Sequence, residues 1–269
     1  MPYLSPALNV MVTAARKAGR GLIRDFGELE NLQVSLKGPA DFVSTADERT
    51  ERILVEELSR ARPGYAFLCE ETGVTGGPDK SHRFIIDPID GTTNFLHGIP
   101  IFAISIALER EGQLVSGVVF NPVTDEMYIA EKGHGAYLNN KRLRVAARKS
   151  PKEALFATGI PFMGRGGHER SLAELRAVIA VTPGVRRCGS AALDLASVAA
   201  GRFDGFWERG LNPWDVAAGI LLVREAGGVV TDMDGGARPM EIGSLIASNE
   251  LLHPQFLKLL TEAGKGVQG

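Results

Sequence analysis

Asp87-Pro88-Ile89-Asp90-Gly91-Thr92-Thr93-Asn94-Phe95 follows directly on the apolar run Phe84-Ile85-Ile86. In order, a strand ends at Ile86, two carboxylates follow three positions apart, and a glycine with two hydroxyl residues opens a helix. Carboxylates at a strand end collect hard cations, and the exposed N–H groups of a helix start collect phosphate oxygens. Both in one short turn point to metal-assisted chemistry on a phosphate.

Upstream of this stretch the pattern is mostly helical. Ser5-Pro6 is a cap followed by a first-turn proline, and Leu8, Val12, Ala15, Leu22 and Phe26 recur at helical spacing until Gly27. A second helix is predicted from Ser44-Thr45 to Ala61, with Ile53, Leu54 and Leu58 on its buried side and Pro63-Gly64 as its stop. Residues 66–69 read as a short strand delivering Glu70 and Glu71 into a glycine-rich loop (Gly73, Gly76, Gly77), and 83–86 as the strand before the opening motif.

Downstream, apolar runs at 102–108, 115–120 and 127–130 are broken by Glu111-Gly112, Asn121-Pro122 and Gly133-His134-Gly135, the signature of antiparallel strands on tight turns. Residues 1–145 therefore read as helices on an antiparallel meander. From Ser150-Pro151 onward strand-like segments (155–158, 184–187, 203–207, 229–232, 245–247) alternate with helical ones (168–180, 190–200, 213–226, 251–264), an α/β half spanning 146–269. No long polar linker separates the halves, so one compact catalytic unit is expected.

Composition narrows the class. Apolar residues make up 44% and charged residues 23% of 269, as in an ordinary soluble globular protein, and the net charge of −2 leaves the whole chain without a nucleic-acid footprint. A local basic cluster, Lys141, Arg142, Arg144, Arg148, Lys149 and Lys152, reads as a solvated face or as an RNA or partner patch. Cys69 and Cys188 lack zinc-site spacing and are expected as buried thiols. Arg16, Lys17 and Arg20 interrupt the N-terminal apolar pattern, unlike a signal peptide, and residues 99–108 are too short to span a bilayer; a cytoplasmic protein is expected.

The acids sit at element ends. Glu70 and Glu71 end one strand, Asp87 and Asp90 the next, Glu208 follows 203–207, Asp215 follows Pro213-Trp214, and Asp47 lies near a helix start. Magnesium takes several oxygen ligands, and no histidine or cysteine cluster competes for a softer ion. Plainer readings stand beside this one. Asp215 and Asp47 would also serve as helix caps, and Asp87-Pro88 as turn chemistry. His97 and His134 read as loop bystanders; His82, His168 and His253 read as surface residues.

The 87–95 stretch resembles the first signature of the inositol monophosphatase family, and Trp214-Asp215-Val216-Ala217-Ala218-Gly219 with Glu225-Ala226-Gly227-Gly228 resembles its second. Gly189-Ser190-Ala191-Ala192, Glu208, Glu70-Glu71, Lys37 and Asp47 fall at matching positions, and the similarity runs from about residue 8 to 260. The resemblance implies a layered α/β/α/β/α sugar-phosphatase fold, a homodimer, and two or three magnesium ions per site with inhibition by lithium. By it, Glu70, Asp87, the Ile89 carbonyl, Asp90 and Asp215 hold metal. Glu70 and Thr92 position the attacking water, and Asp47 orients Thr92. Gly91 and Thr92 receive the phosphate. Asp90, Gly189, Ser190, Ala191, Glu208 and Asp215 contact substrate, and Lys37 and Glu71 are further site candidates.

Within the family, Thr93-Asn94-Phe95-Leu96-His97-Gly98 resembles the inositol monophosphatase branch, whereas Asn212 stands where several animal members carry histidine. The expectation is a magnesium-dependent phosphomonoesterase on inositol 1-phosphate and related polyol phosphates. The same site on fructose 1,6-bisphosphate or histidinol phosphate is the second reading. An RNA- or transcription-associated binding role on this scaffold is the third.

Overall fold

The computed structural model describes residues 5–29, 34–38, 41–79 and 81–265; for 34–38 and 41–43 it describes the backbone alone. In chain order the first half comprises α1 (Pro6–Phe26), β1 (Val34–Gly38), β2 (Asp41–Ser44), α2 (Thr45–Ala61), β3 (Ala66–Cys69), β4 (Gly73–Thr75), β5 (His82–Asp90) and α3 (Thr92–Leu96). It continues with β6 (Ala103–Arg110), β7 (Gln113–Asn121), β8 (Glu126–Glu131), β9 (Gly135–Leu138) and β10 (Lys141–Arg142). The second half comprises β11 (Leu155–Thr158), α4 (His168–Ile179), β12 (Gly184–Arg186), α5 (Ala191–Ala199), β13 (Gly205–Arg209) and α6 (Pro213–Glu225). It ends with β14 (Gly228–Thr231), α7 (Pro239–Ile242), β15 (Ser244–Asn249) and α8 (His253–Ala263).

Strand alternation builds the layers. Successive strand side chains point to opposite faces, and in β5 Phe84 and Ile86 pack with Leu8, Met11 and Leu22 of α1 and Leu54 and Leu58 of α2. Ile85 between them packs with α5 and α6 instead. The second sheet repeats the rule. Ala157, Phe206, Leu245 and Ala247 face α5 and α6, while Phe156, Trp207 and Ile246 face Val178 of α4 and Phe256 and Leu260 of α8. The result is helix, eight-stranded sheet, helix, five-stranded sheet, helix. The strand orders are β10-β9-β8-β7-β6-β5-β3-β4 and β12-β11-β13-β15-β14. Helices α5 and α6, apolar on nearly every side, form the middle layer because both sheets cover them.

Four features differ from the sequence reading. First, β5 does not stop at Ile86; it runs to Asp90 with a register shift between Asp87 and Asp90 against β6. A bulge is where a strand tolerates proline, so Pro88 lies inside the strand. Second, the meander from β6 to β10 is antiparallel as expected, but upstream of it the same sheet adds β3 to β5 in parallel. Third, the glycine-rich loop after Glu71 folds back as β4 on β3. Fourth, β13 begins at Gly205 rather than 203, held by buried Asp204, which accepts from Leu155 N at 2.8 Å and pairs with Arg148 at 3.1 Å.

Cys69 is buried as expected, Cys188 only half-buried, and both are free thiols. His253 is buried rather than on the surface: its ring lies 2.9 Å from Ser248 Oγ and 3.0 Å from Thr231 Oγ1. No helix among the described residues is long and apolar enough to cross a membrane.

Candidate active site

The parallel β3–β5 pair makes the first contact of the site. Its register sets Cys69 beside Ile86, and Glu70 N donates to Ile86 O at 3.2 Å, so the next residue of each strand, Glu70 and Asp87, are neighbours at the strands' carboxyl ends. Glu51 of α2, almost wholly buried, fixes this corner: its carboxylate accepts from Glu71 N at 2.9 Å and Thr72 N at 3.0 Å. Asp87 Oδ1 accepts from Ile89 N at 3.0 Å across the bulge. Ser105 of β6, opposite Asp87, donates to the Trp214 carbonyl at 3.2 Å and anchors the start of α6, where Asp215 sits.

Both halves supply the rest. Asp90 Oδ2 accepts from Ser190 Oγ at 2.5 Å and Ala192 N at 2.7 Å, tying the end of β5 to the start of α5. Ser190 also caps α5, accepting from Leu193 N. Asp215 accepts from Asn212 N at 2.7 Å in a capping box, so its helix-cap role and its position at the site coexist. Asp47 closes a capping box on α2 with Ser44, and its other oxygen lies 3.2 Å from Thr92 Oγ1. Thr92 Oγ1 is also 3.0 Å from the Ile89 carbonyl, so its single proton is shared between two acceptors. Gly91 has φ +100°, and a Cβ there would sit 2.9 Å from Ile101 O and 3.2 Å from Gly189 O; only glycine makes this turn against the 189 loop.

These groups open on one cavity of about 280 Å³, lined by Glu70, Asp87, Ile89, Asp90, Gly91, Thr92, Gly189, Ala191, Glu208 and Asp215 among others. Asp47 and Ser190 stand behind the lining and act through Thr92 and Asp90. Glu71 does not line the cavity. Lys37 lies on β1, and its side chain falls outside the described residues. Sequence reasoning missed three residues on the far wall: Gly159, Arg165 and Arg187. A Cβ on Gly159 would collide with the Glu208 carboxylate. Arg165 stacks on Phe162 and donates to Gly210 O at 2.9 Å. Arg187, next to Gly189, has no hydrogen bond or ion pair among the described residues. The Arg186-Arg187 pair just before Gly189-Ser190 was the only sequence signal for it.

Crowding sets the electrostatics. Burial pushes Asp87 and Asp215 well above the usual carboxylate range, and repulsion adds to it, from Glu70, Asp90 and Asp215 on Asp87 and from Asp90 and Glu70 on Asp215. Burial pushes Asp90 up to about 6 despite its bonds to Ser190 and Ala192, and Asp47 up to about 6 despite its bonds to Ser44. Glu208 is pushed up to about 8 by burial, then by Asp194 and Asp90, with Arg187 and Arg165 opposing. Among the described residues no three His, Cys, Asp or Glu side chains are already drawn close enough to enclose an ion. The acids face one cavity and repel across it.

Comparison with known proteins gives a consistent picture. The model of the inositol monophosphatase family matches residues 3–265. An inositol-1-monophosphatase of Mesorhizobium japonicum is 61% identical over 94% of this chain and 96% of its own. A Pseudomonas aeruginosa protein named Nus factor SuhB is 44% identical over 91% of this chain and 92% of its own. The crystal structure of the extragenic suppressor protein suhB from Bartonella henselae superposes with a TM-score of 0.94 at 56% identity, covering 98% of this chain and 100% of that one.

Proposed function

The chain belongs to the inositol monophosphatase family, and we propose that it is a magnesium-dependent phosphomonoesterase acting on inositol 1-phosphate and related polyol phosphates. The observation that carries this reading is the convergence of Glu70, Asp87, Asp90 and Asp215 on one cavity beside the Thr92–Asp47 pair.

The donor set suits a hard divalent cation. It is all oxygen, it comes from the ends of three elements, and its charges are crowded and mutually repelling. Glu70, Asp87, the Ile89 carbonyl, Asp90 and Asp215 would hold two or three magnesium ions, and lithium would inhibit. Magnesium bound there supplies charge neutralisation at the phosphoryl group and a more acidic attacking water.

The chain does the positioning. Glu70 and the Thr92 hydroxyl hold the attacking water in line with phosphorus. Asp47 and the Ile89 carbonyl share the Thr92 proton on one side and leave a hydroxyl lone pair for that water. The N–H groups of Gly91 and Thr92 receive phosphate oxygens. Ser190 and Ala192 keep Asp90 from swinging out of the cavity. Gly189, Ala191 and Glu208 contact the polyol hydroxyls, with Gly159 leaving room for Glu208, while Ser190, expected as a substrate contact, sits behind the lining and acts through Asp90. Residues 1–145 and 146–269 act as one catalytic unit, since each supplies part of this wall.

Two further assignments belong here. Leu172 and Ile179 of α4, with Val181 and Met163, are exposed apolar side chains, and a homodimer would cover them. Two free cysteines suit a reducing compartment, and the cytoplasm is assigned on that ground.

The deciding experiment is phosphate release from inositol 1-phosphate, fructose 1,6-bisphosphate, histidinol phosphate and adenosine 3′,5′-bisphosphate, with and without magnesium. Magnesium-dependent turnover led by inositol 1-phosphate is expected. Leadership by fructose 1,6-bisphosphate or histidinol phosphate would move the substrate and keep the site. A folded protein inert on all four would overturn the reading.

A binding role has one observation of its own: Lys141, Arg142, Arg144 and Lys149 are all exposed. Charge reversal at Arg142 and Arg144 should then abolish RNA or transcription-partner capture without touching turnover. Arg148 is left out of that series because it pairs with buried Asp204.

A further inference from the structure

A second cavity of about 300 Å³ opens at the opposite end of α6 from Asp215. The start of β7, the turn after β8, the last turn of α6 and the start of α7 enclose it. Its apolar wall includes Leu114, Ile220 and Met240, and three cationic side chains, Lys132, Arg224 and Arg238, reach it. This volume is in the range of small-ligand sites, where an apolar wall with a few polar groups is the usual composition.

The charges do not cancel locally. Three cations face two carboxylates in the lining, and Glu225 engages both oxygens with Gly133 N at 2.9 Å and Gly135 N at 2.8 Å, bracing the β8–β9 turn, rather than with a cation. Glu241 answers Arg238 alone, at 3.6 Å with both side chains largely exposed. Lys132 donates to a neutral acceptor, Gln113 Oε1, at 2.5 Å. The Arg224 guanidinium makes no hydrogen bond or ion pair among the described residues; the residue is exposed overall, and partial desolvation lowers its pKa. At the carbonyl end of α6, which disfavours an anion, the N–H groups of Ala226, Gly227 and Val145 occupy the Leu222, Arg224 and Ala226 carbonyls, so the head group has to be held by the side-chain cations.

We propose that this cavity is a binding site for a small organic anion, one carboxylate or phosphate head on a compact apolar body, with Arg224 and Lys132 holding the head and Ile220 and Met240 the body. A guanidinium offers a planar fork of donors matched to such heads. The site is separate from the acid-lined cavity and does not depend on the phosphatase reading.

The test uses 4-iodobenzoate in metal-free buffer, measured by calorimetry and located by iodine anomalous scattering in a soaked crystal. Iodine density beside Ile220 and Met240, with the carboxylate on Arg224, is expected. So is at least tenfold weaker binding to both Arg224→Gln and Lys132→Gln, with inositol 1-phosphate turnover equal to wild type. Neutral 4-iodobenzamide should bind at least tenfold more weakly than the acid. No density in this cavity at saturating probe, unchanged affinity in the variants, or equal binding of the amide would each overturn the proposal. Should Arg224→Gln fail to fold, Lys132→Gln gives the same reading.

Discussion

At the residue scale, Asp90 separates chemistry from folding. Its carboxylate accepts from Ser190 and Ala192 through one oxygen, a bond that an asparagine amide oxygen reproduces. Asp90→Asn should therefore keep its melting temperature within a few degrees while kcat at saturating magnesium falls at least about 100-fold, the scale of losing a charged group at a reacting centre. Turnover above a tenth of wild type would remove Asp90 from the machinery. Glu51 should behave in the opposite way. Removing its carboxylate leaves the Glu71 and Thr72 N–H groups without acceptors in a half-buried corner, at a cost of about 2–3 kcal/mol. Glu51→Ala should lower the urea midpoint and raise the magnesium concentration for half-maximal activity, because Glu70 adjoins that corner. An unchanged magnesium response would show that the corner does not position Glu70. The acids of the site were legible because they stand at element ends and fall within or at positions matching two family signatures; their spacing alone left cap and turn readings open. Glu51, Arg165 and Arg187 were not, since each reaches the site from a segment whose local pattern is ordinary for a helix or loop.

At the element scale, β5 carries the main lesson. Its apolar run marked a strand, but Pro88 made the strand look finished at Ile86, and only the register against β6 shows the bulge that carries it to Asp90. The helices read well where caps and periodicity agree, as with Ser5 before α1 and Ser44 before α2. The surface reading of His253 failed because a histidine at a helix start gives no hint that β14 and β15 will close over it. That burial has a consequence in pH. Burial lowers the folded pKa of His253 below the ordinary 6.5, so the unfolded chain takes up the proton first. Its contribution to stability is complete above about pH 6.5 and is lost as pH falls below that value. A cation at the start of α8 is also opposed by the helix dipole. Denaturation of wild type and His253→Gln at pH 8, 7, 6 and 5 should show a steeper decline in wild type below pH 6.5. Parallel curves would place the acid sensitivity elsewhere.

For the whole molecule, the five layers exist because each sheet is apolar on both faces and α5 and α6 are apolar nearly all round. Apolar runs broken by turn residues such as Glu111-Gly112 and Asn121-Pro122 made the strands visible in the sequence. Which strands pair in parallel, and that both sheets share one helix layer, depends on long-range contacts such as Ile85 with the α5–α6 layer, which no local window contains. That shared layer is also what brings the acids together. Glu70, Asp87 and Asp90 arrive from the first sheet, Asp215 from the middle layer and Glu208 from the second sheet. The fold thus concentrates negative charge at its centre, and without a cation this charge opposes the packing that creates it. Magnesium should stabilise the whole molecule, by about 2.7 kcal/mol at a concentration 100 times its Kd, and chelation should lower the melting temperature correspondingly. Asp87→Asn tests the cause. With one charge fewer, the chelated variant should melt above the chelated wild type, by a gain of about 0.5–2 kcal/mol, yet gain far less from added magnesium and turn over little substrate. A variant that melts lower than wild type under chelation would mean that Asp87 is held for packing, through its bond to Ile89 N, and not at the expense of stability for the metal.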